Sequence, residues 1–217
     1  GGKAGTSSAA GFRFDTGPSL VTLPFVFREL FALAGERVED SLAFVPLEPL
    51  CTNVFADGTV LRDSADRERF AMEVSRVSRD NPLRLFRYLE HGKRIYEASA
   101  HLFLFQSLQE AVFHGGVALR DLLALLRLDA RRSLHRAHTS FFTDARLIQL
   151  FDRYATFNGS NPYRAPATLA IIPAVEYGFG GFTVRQGIRA IPEAYEKLAR
   201  KLGVIFHLTT RVERILL

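Results

Sequence analysis

Two glycines and a lysine stand at the start of the chain, a combination that can bind a phosphate group. Gly1 and Gly2 carry no side chain, so their backbone N–H groups can approach a pyrophosphate, and the charge of Lys3 offsets that of the anion. Ala4 completes this short segment. A Gly-Gly pair at this position is also typical of an expression tag. Residues 1–4 therefore predict either a nucleotide contact or a tag remnant.

Two acidic residues further along the chain stand beside loop-forming residues. Asp15 follows Arg13 and precedes Gly17 and Pro18, which shape a turn. Glu176 precedes a cluster of glycines that lets backbone approach a ligand. Glu176 could polarise a substrate or accept a proton. It could equally be a strand-end carboxylate that pairs with an arginine.

The histidines raise the question of a metal site. His135 and His138 are three positions apart on a predicted helix and could share a face, with His101 and His114 upstream. A zinc site needs three or four ligands, and no carboxylate in the sequence completes an obvious set. We therefore predict no metal. The arginine-rich segment 129–138 is expected to face lipid headgroups or water.

The composition is that of a globular protein and does not favour nucleic acid as a partner. Of the 217 residues, 47% are hydrophobic and 24% are charged. The net charge of +5 comes from cations interleaved with acids, without a long basic tract or a recognised nucleic-acid-binding motif. Cys51 is the single cysteine, which indicates a reducing, cytoplasmic setting. The sequence contains no uninterrupted apolar run of about 18 residues, the length that would predict a membrane-spanning helix.

The local patterns predict a mixed α/β (α+β) chain. Pro24 suits the first turn of a helix that stops at Gly35, and Asp57-Gly58 connects two β-rich runs, 52–55 and 59–61, as a hairpin. Helical periodicity then dominates, with an interruption at 80–82, an apolar helix over 96–113 and an amphipathic helix that Thr143 or Asp144 caps. Residues 169–187 combine strand character with a glycine cluster. A last amphipathic helix ends at Gly203 and leads into a strand over 204–210, as in the second half of an α/β unit.

These elements predict three segments. Residues 1–24 and 176–217 are expected to form parts of one α/β domain. Residues 25–175 are expected to form an inserted domain of helices and a hairpin that binds substrate or membrane.

Several motifs, taken in order, resemble the bacterial phytoene desaturase family of carotenoid oxidoreductases. Members of that family follow their glycine pair with a hydrophobic-Phe-Asp-x-Gly-Pro segment. Later they carry an Asn-Gly-Ser-x-Pro loop, an acidic residue before Gly-Gly, and a Val-x-x-Ile ending. The corresponding residues here are Phe14 with Asp15, Thr16, Gly17 and Pro18; residues 158–167; Glu176 with Gly180 and Gly181; and Val212 with Ile215.

The resemblance implies an FAD-dependent enzyme that removes hydrogen from a long apolar polyene such as phytoene. It also implies a fragment: the G-x-G-x-x-G turn and a C-terminal flavin segment would lie outside these residues, and the fragment alone would be inactive. Residues 1–24 and 176–217 would be pieces of a Rossmann-like FAD-binding domain, and the cofactor would contact Gly1, Gly2, Lys3, Ala4, Gly17, Pro18 and Val212. Asp15, Arg13 and Glu176 are the candidate catalytic residues, although Asp15 could instead form only an Asx turn.

A phenylalanine-rich stripe with Phe103, Phe105 and Phe113 allows two interpretations. It could be core, or it could be an interfacial membrane helix with a basic rim. A polyene dissolved in the bilayer would favour the second, so we expect a peripheral membrane protein of the cytoplasm. Three alternatives stay open: an enzyme of the same fold that acts on a later carotenoid or another polyene, one that acts on an amine, and a non-catalytic module that binds membranes or apolar ligands.

Overall fold

The computed structural model describes residues 3–100 and 128–215. Gly1, Gly2 and the phenylalanine-rich stripe predicted to be core or membrane surface lie outside the described residues, as do His101 and His114. In chain order the described elements are β1 Thr6–Ala9, β2 Phe12–Asp15, α1 Pro24–Leu33, β3 Phe44–Pro46, β4 Cys51–Val54, β5 Val60–Asp63, α2 Arg67–Val77, α3 Pro82–Ser99, α4 Leu134–Phe141, α5 Ala145–Asp152, α6 Ile171–Phe179, β6 Phe182–Val184 and α7 Ala190–Lys201.

The predicted mixture of helices and strands is confirmed at the level of fold class. The described strands form three two-stranded sheets, β1–β2, β3–β6 and β4–β5. The chain divides into two compact units: unit 1 comprises residues 1–45 and 182–217, and unit 2 comprises residues 46–181. Whether the predicted segments 1–24, 25–175 and 176–217 have the predicted roles stays a prediction.

Unit 1 contains an exposed hairpin and a small apolar core. Strands β1 and β2 are antiparallel, and the two turn residues between them, Ala10 and Gly11, have φ of 51° and 82°. Positive φ at both positions is the geometry of a type I′ turn, which suits the twist of a hairpin. The core packs α1 and α7 against β6, with the buried side chains Val21, Phe31, Val38, Leu42, Val184, Ile188, Ala194 and Leu198.

Helix α1 begins and ends where its sequence predicts. Pro24 occupies the first turn, where its missing N–H costs no hydrogen bond. Gly35 has φ of 72°, and its N–H bonds to the carbonyl of Ala32 at 2.9 Å. Gly203, with φ of 87°, follows the end of α7 in the same way.

The predicted strand over 204–210 is wrong for the structure as described. These residues form neither helix nor strand, and Val204, Ile205 and Leu208 are 51%, 78% and 69% exposed. Their apolar, β-branched composition favours a strand, but a strand needs a neighbour for its backbone hydrogen bonds. No described residue pairs with this stretch.

Unit 2 contains the predicted hairpin and the larger core. Strands β4 and β5 pair with Val54 opposite Val60, and Phe55 N–H bonds to the Thr59 carbonyl at 2.9 Å, which confirms the Asp57-Gly58 turn. Asp144 is the cap of α5, since its carboxylate accepts from Arg146 N–H at 2.9 Å. The core is rich in large aromatic side chains, among them Phe70, Tyr88, Phe142, Phe151, Tyr154 and Tyr177.

Helices α3 and α6 cross at a glycine. A Cβ at Gly92 would lie 2.5 Å from the Ala170 carbonyl oxygen and 2.8 Å from the Ala174 Cβ. Only a residue without a side chain allows this approach. The helical α6 replaces the strand character predicted for residues 171–179, because packing on α3 outweighs the β propensity of Ile171, Ile172 and Val175.

Among the described residues, no helix is long and apolar enough to cross a membrane.

Candidate functional site

The predicted phosphate-binding segment lies against the Asp-Thr-Gly-Pro turn in unit 1. A Cβ at Gly17 would lie 2.0 Å from the Lys3 carbonyl oxygen, so glycine is required at this contact. Next to it, Thr16 N–H bonds to the Gly5 carbonyl at 3.0 Å. The two segments are therefore held together through their backbones. The structure thus brings Lys3, Ala4 and Gly17 together, with Lys3 exposed.

Arg13 and Asp15 both hold the loop that precedes α7. The carboxylate of Asp15 accepts a hydrogen bond of 3.0 Å from Ile188 N–H, and the Arg13 guanidinium donates to the Gln186 carbonyl. Gly187 lies between them with φ of 89°, and a Cβ there would be 2.9 Å from Asp15 Oδ1. The carboxylate therefore already has a structural partner. The role of Asp15 and Arg13 in catalysis stays a prediction.

Two further predicted cofactor residues of unit 1 are exposed. Pro18 belongs to the same loop as Gly17. Val212 lies in the irregular stretch after α7 and is 75% exposed, and no described residue packs over it. Pro18 thus follows directly on Gly17, which contacts the Lys3 segment, whereas the side chain of Val212 is largely exposed to solvent.

Glu176 lies in unit 2, inside a buried polar cluster. It is on helix α6 and not at a strand end, because the sequence before the glycines is helical. Only 3% of Glu176 is exposed, and its carboxylate lies 3.8 Å from the Arg153 guanidinium. The pairing with an arginine left open by the sequence is thus present in the structure.

Asp63 is the centre of that cluster. It is fully buried at the end of β5, and its carboxylate accepts hydrogen bonds from Tyr177 Oη at 3.0 Å, Asn53 Nδ2 at 3.1 Å and Cys51 N–H at 2.6 Å. Arg153 is 3.5 Å away. One guanidinium thus faces two buried carboxylates, those of Asp63 and Glu176.

Burial shifts the pKa values of both carboxyl groups in this cluster upward. Burial raises the pKa of Asp63, although its hydrogen bonds and Arg153 oppose the shift. Burial also raises the pKa of Glu176, again against Arg153. Burial alone would lower the pKa of Arg153, but the neighbouring tyrosines and carboxylates raise it. Burial therefore makes both carboxyl groups harder to ionise, while Arg153 favours their charged forms.

An apolar cavity of about 310 Å³ lies beside this cluster, still within unit 2. Tyr177 belongs to both: its hydroxyl bonds to Asp63, and its side chain lines the cavity. The rings of Tyr96 and Phe179 meet there at 5.2 Å between centroids. The rim carries charge, with Lys93 paired to Glu97 at 3.6 Å. The apolar wall is completed by Leu89 and Ala174.

Glu176 does not line this cavity, and no sequence motif indicated the residues of the polar cluster beside it. Asp63, Arg153 and Tyr177 are far apart along the chain and match no motif. Asp63 follows the predicted hairpin in sequence, but its burial, which requires partners for the carboxylate, is seen only in the structure. Nothing in the sequence says which partners it finds.

The histidines of α4 form a second buried network instead of a surface. His135 Nδ1 and His138 Nδ1 each lie 2.6 Å from an oxygen of Asp152, and His138 Nε2 lies 3.0 Å from the Tyr88 hydroxyl. His138 is fully buried. The expectation that segment 129–138 faces headgroups or water is therefore wrong for His138. The described residues hold no group of three or more possible ligands suited to a metal ion.

The residues of unit 1 fit one part of the flavin cofactor that the motifs imply. Lys3 offers an exposed cation on a backbone segment that packs closely against Gly17, and an exposed cation suits a phosphate. The loop 15–19 around it is largely exposed and leaves space for a ligand.

Comparison with known proteins agrees with this chemistry. The model of the flavin-containing amine oxidoreductase family matches residues 1–217. The chain is 34% identical to 1-hydroxycarotenoid 3,4-desaturase of Flavobacterium sp. (strain P99-3), over 99% of this chain and 44% of that protein. It is 31% identical to a zeta-carotene-forming phytoene desaturase of Myxococcus xanthus, over 100% of this chain and 41% of that protein.

A third relative carries out oxygenation. The chain is 30% identical to 4,4'-diapolycopene oxygenase of Methylomonas sp., over 99% of this chain and 43% of that protein. The chain thus spans about two fifths of the length of the curated relatives it matches. These relatives are carotenoid desaturases and oxygenases, and FAD is the cofactor of this class of enzyme. The chain belongs to the flavin-containing amine oxidoreductase family.

Proposed function

We propose that this chain is part of an FAD-dependent desaturase that acts on a long apolar carotenoid precursor such as phytoene. The observation that carries the proposal is similarity along almost the whole chain to enzymes named for carotenoid desaturation. The apolar cavity of unit 2 supports it, because a hydrocarbon substrate needs apolar walls more than polar anchors.

Residues of unit 1 would bind the cofactor, and residues of unit 2 would bind the substrate. Lys3, with the backbone around Gly17 and Pro18, would hold the cofactor's phosphates, and Asp15 would hold the loop beside it. The bound flavin would accept the hydrogen removed from the substrate. In unit 2, Tyr96, Tyr177 and Phe179 would hold part of the polyene and exclude water. At about 310 Å³ the cavity lies at the small end of the range for ligand pockets, so it would hold one part of a long chain.

A carotenoid with a hydroxyl group is the second candidate substrate. Two relatives, 1-hydroxycarotenoid 3,4-desaturase and the hydroxyneurosporene desaturase of Rhodobacter capsulatus, are named for hydroxylated substrates. The hydroxyl of Tyr96, on the cavity wall, has no hydrogen-bond partner among the described residues and could donate to such a group.

A pigment assay in cells tests both candidates. The gene that encodes this chain is expressed in bacteria that accumulate colourless phytoene, and extracted pigments are analysed by absorption spectroscopy. New visible bands are expected, and their positions count the added double bonds. A second strain that accumulates 1-hydroxycarotenoids tests the alternative. If yellow, flavin-bound protein leaves both pools unchanged, the proposed carotenoid desaturation is refuted and a different polyene or an amine becomes the substrate to test.

We also propose that the protein works as a peripheral membrane protein of the cytoplasm. Support comes from the substrate class, since a long polyene dissolves in the bilayer and not in water. Cell fractionation followed by a carbonate wash tests this proposal. A peripheral protein sediments with membranes and is released by the wash, whereas a protein found wholly in the supernatant before the wash would contradict it.

A further inference from the structure

Two arginines on the outer face of helix α3 have no partner among the residues that the structure describes. Arg87 and Arg94 are exposed on this helix, and Arg67 reaches the same groove from the start of α2. None of the three guanidinium groups has an ion pair or a hydrogen bond with any residue that the structure describes. Nearby cations differ in this respect, since Arg84 pairs with Asp80 and Lys93 pairs with Glu97.

Apolar side chains alternate with these arginines. Leu83 is 55% exposed one turn before Arg87, and Phe86 and Phe141 line the same groove, which has a volume of about 660 Å³. Among the described lining residues of the groove, Glu90 is the one acidic side chain, so these residues carry an excess of two positive charges. An apolar strip between cations is the pattern of a surface that inserts between lipid headgroups.

The groove also adjoins the apolar cavity of unit 2. Arg67 lines both, and α3 supplies residues to each: Arg87 and Arg94 to the groove, Leu89 and Tyr96 to the cavity. A bilayer in contact with the groove would therefore lie next to the cavity mouth. A molecule dissolved in the bilayer would reach the cavity without crossing water.

We propose that unit 2 docks on an anionic bilayer through the groove formed by Arg67, Leu83, Phe86, Arg87, Arg94 and Phe141, with the three arginines on lipid phosphates. The inference rests on the proposed function in one respect, that the substrate comes from the bilayer. Charge complementarity commits the surface to an anionic membrane. Exposed Leu83 and the neighbouring apolar cavity favour a lipid surface over an acidic protein.

Vesicle co-sedimentation of the full chain tests the charge. Vesicles of phosphatidylcholine with one quarter phosphatidylglycerol are compared with pure phosphatidylcholine. The Arg67→Gln/Arg87→Gln/Arg94→Gln variant should bind anionic vesicles about 100-fold more weakly than the wild type, and added salt should weaken the wild type in the same direction. The matched control is Arg62→Gln/Arg79→Gln/Arg164→Gln, which removes the same charge from exposed positions outside the groove. It should keep most of the binding, because none of the three arginines lines the groove that would contact the lipid phosphates.

A fluorescence experiment tests the contact itself. The chain has no tryptophan, so Leu83→Trp introduces a single reporter into the groove, and Val54→Trp places one at a site that is 71% exposed in the hairpin of the same unit. Anionic vesicles with brominated lipids should shift the emission of the groove reporter to the blue and quench it, and should leave the hairpin reporter unchanged.

Two results of the co-sedimentation assay would overturn the proposal: equal binding of the two vesicle types, or an equal loss of vesicle binding in both triple variants. Quenching of the hairpin reporter alone would also overturn it. So would binding to poly-glutamate that depends on the three arginines, without binding to vesicles. The last would assign the groove to an acidic protein. These assays contain neither flavin nor polyene. A protein that does not bind vesicles would therefore leave the proposed desaturation intact. An unchanged pigment pool together with normal vesicle binding would reject the carotenoid substrate and leave the docking surface intact.

Discussion

The hydroxyl of Tyr177 donates a hydrogen bond of 3.0 Å to Asp63, although 114 positions separate the two residues along the chain. The bond joins helix α6 to the end of the β4–β5 hairpin. The same tyrosine forms part of the wall of the apolar cavity, so one side chain joins a buried carboxylate to that wall. Because a buried carboxylate without enough donors is unstable, this contact links the cavity wall to the stability of unit 2.

Removal of this hydroxyl should destabilise the protein. We expect Tyr177→Phe to lower the free energy of unfolding by about 1–2 kcal/mol, since Asp63 stays buried with one donor fewer. Urea unfolding followed by circular dichroism measures the change. Tyr163→Phe is the control, because Tyr163 is 64% exposed and should change stability little. Equal effects of the two changes would mean that the bond to Asp63 contributes nothing.

The buried His138 should make stability depend on pH. Burial lowers its pKa below 6.5, against the effect of Asp152. The unfolded chain therefore takes up the proton first, and stability should fall as pH drops below about 6.5, towards the lower pKa of the folded protein. Burial alone would raise the pKa of Asp152, but hydrogen bonds from both histidines outweigh it and lower this pKa below 3.8. The stability that ionised Asp152 contributes is therefore lost only at still lower pH.

Substitution of this histidine isolates its share of the pH dependence. His91, whose pKa burial also lowers, titrates in the same range, so the wild-type curve contains both. We expect His138→Gln to flatten the dependence between pH 5 and 7 in urea titrations at fixed temperature. His207→Gln, changed at an exposed position, is the control. A slope equal to that of the wild type in His138→Gln would contradict the assignment.

Two glycines on the packed helices should respond in opposite directions to alanine. Gly92→Ala should cost about 1–3 kcal/mol, because the new Cβ would lie 2.5 Å from the Ala170 carbonyl oxygen and force α3 and α6 apart. Gly178→Ala should be neutral or stabilise by up to about 1 kcal/mol, because nothing lies within 4 Å and alanine favours the helix. Thermal unfolding of both variants measures this. A Gly92→Ala variant as stable as Gly178→Ala would show that the two helices can separate freely.

The contact between Asp15 and Gly187 predicts coupling between two substitutions. Gly187→Ala should cost more than Gly11→Ala, since both have positive φ but only position 187 meets a carboxylate, at 2.9 Å. In an Asp15→Ala background the cost of Gly187→Ala should fall by about 1 kcal/mol. A double-mutant cycle measured by urea unfolding provides the test. Strict additivity would mean that Asp15 does not hold this loop.

Loss of the charge at position 3 should weaken the cofactor without affecting the fold. We expect Lys3→Gln to lower flavin affinity about tenfold in protein expressed from the whole gene, because one cation fewer faces the phosphates. The flavin content of purified protein, read from its visible absorption, measures this. Lys197→Gln, on helix α7, is the control. Unchanged flavin content in Lys3→Gln would remove Lys3 from the cofactor site.

Local sequence signals predicted the elements whose ends depend on a few neighbouring residues. Pro24 and Gly35 bound helix α1, and Asp57-Gly58 sets the hairpin, because proline and glycine restrict or extend the allowed φ wherever they occur. Gly203 ends α7 for the same reason. The family motifs likewise predicted a flavin-containing oxidoreductase, and the family model confirms that prediction.

Non-local contacts decided what the local signals could not. Residues 171–179 have strand propensity, but the space beside Gly92 admits a helix, and burial against α3 outweighs propensity. Residues 204–210 have the same propensity and form no strand, because no described backbone lies alongside them.

The sequence by itself determined the family and the turn positions, since each depends on residue types within short stretches. The tertiary structure alone decided that Glu176 faces Arg153 and that Tyr177 reaches Asp63 at the edge of an apolar cavity. The physical reason is that a buried charge must find partners wherever packing places them, and packing is a property of the whole unit.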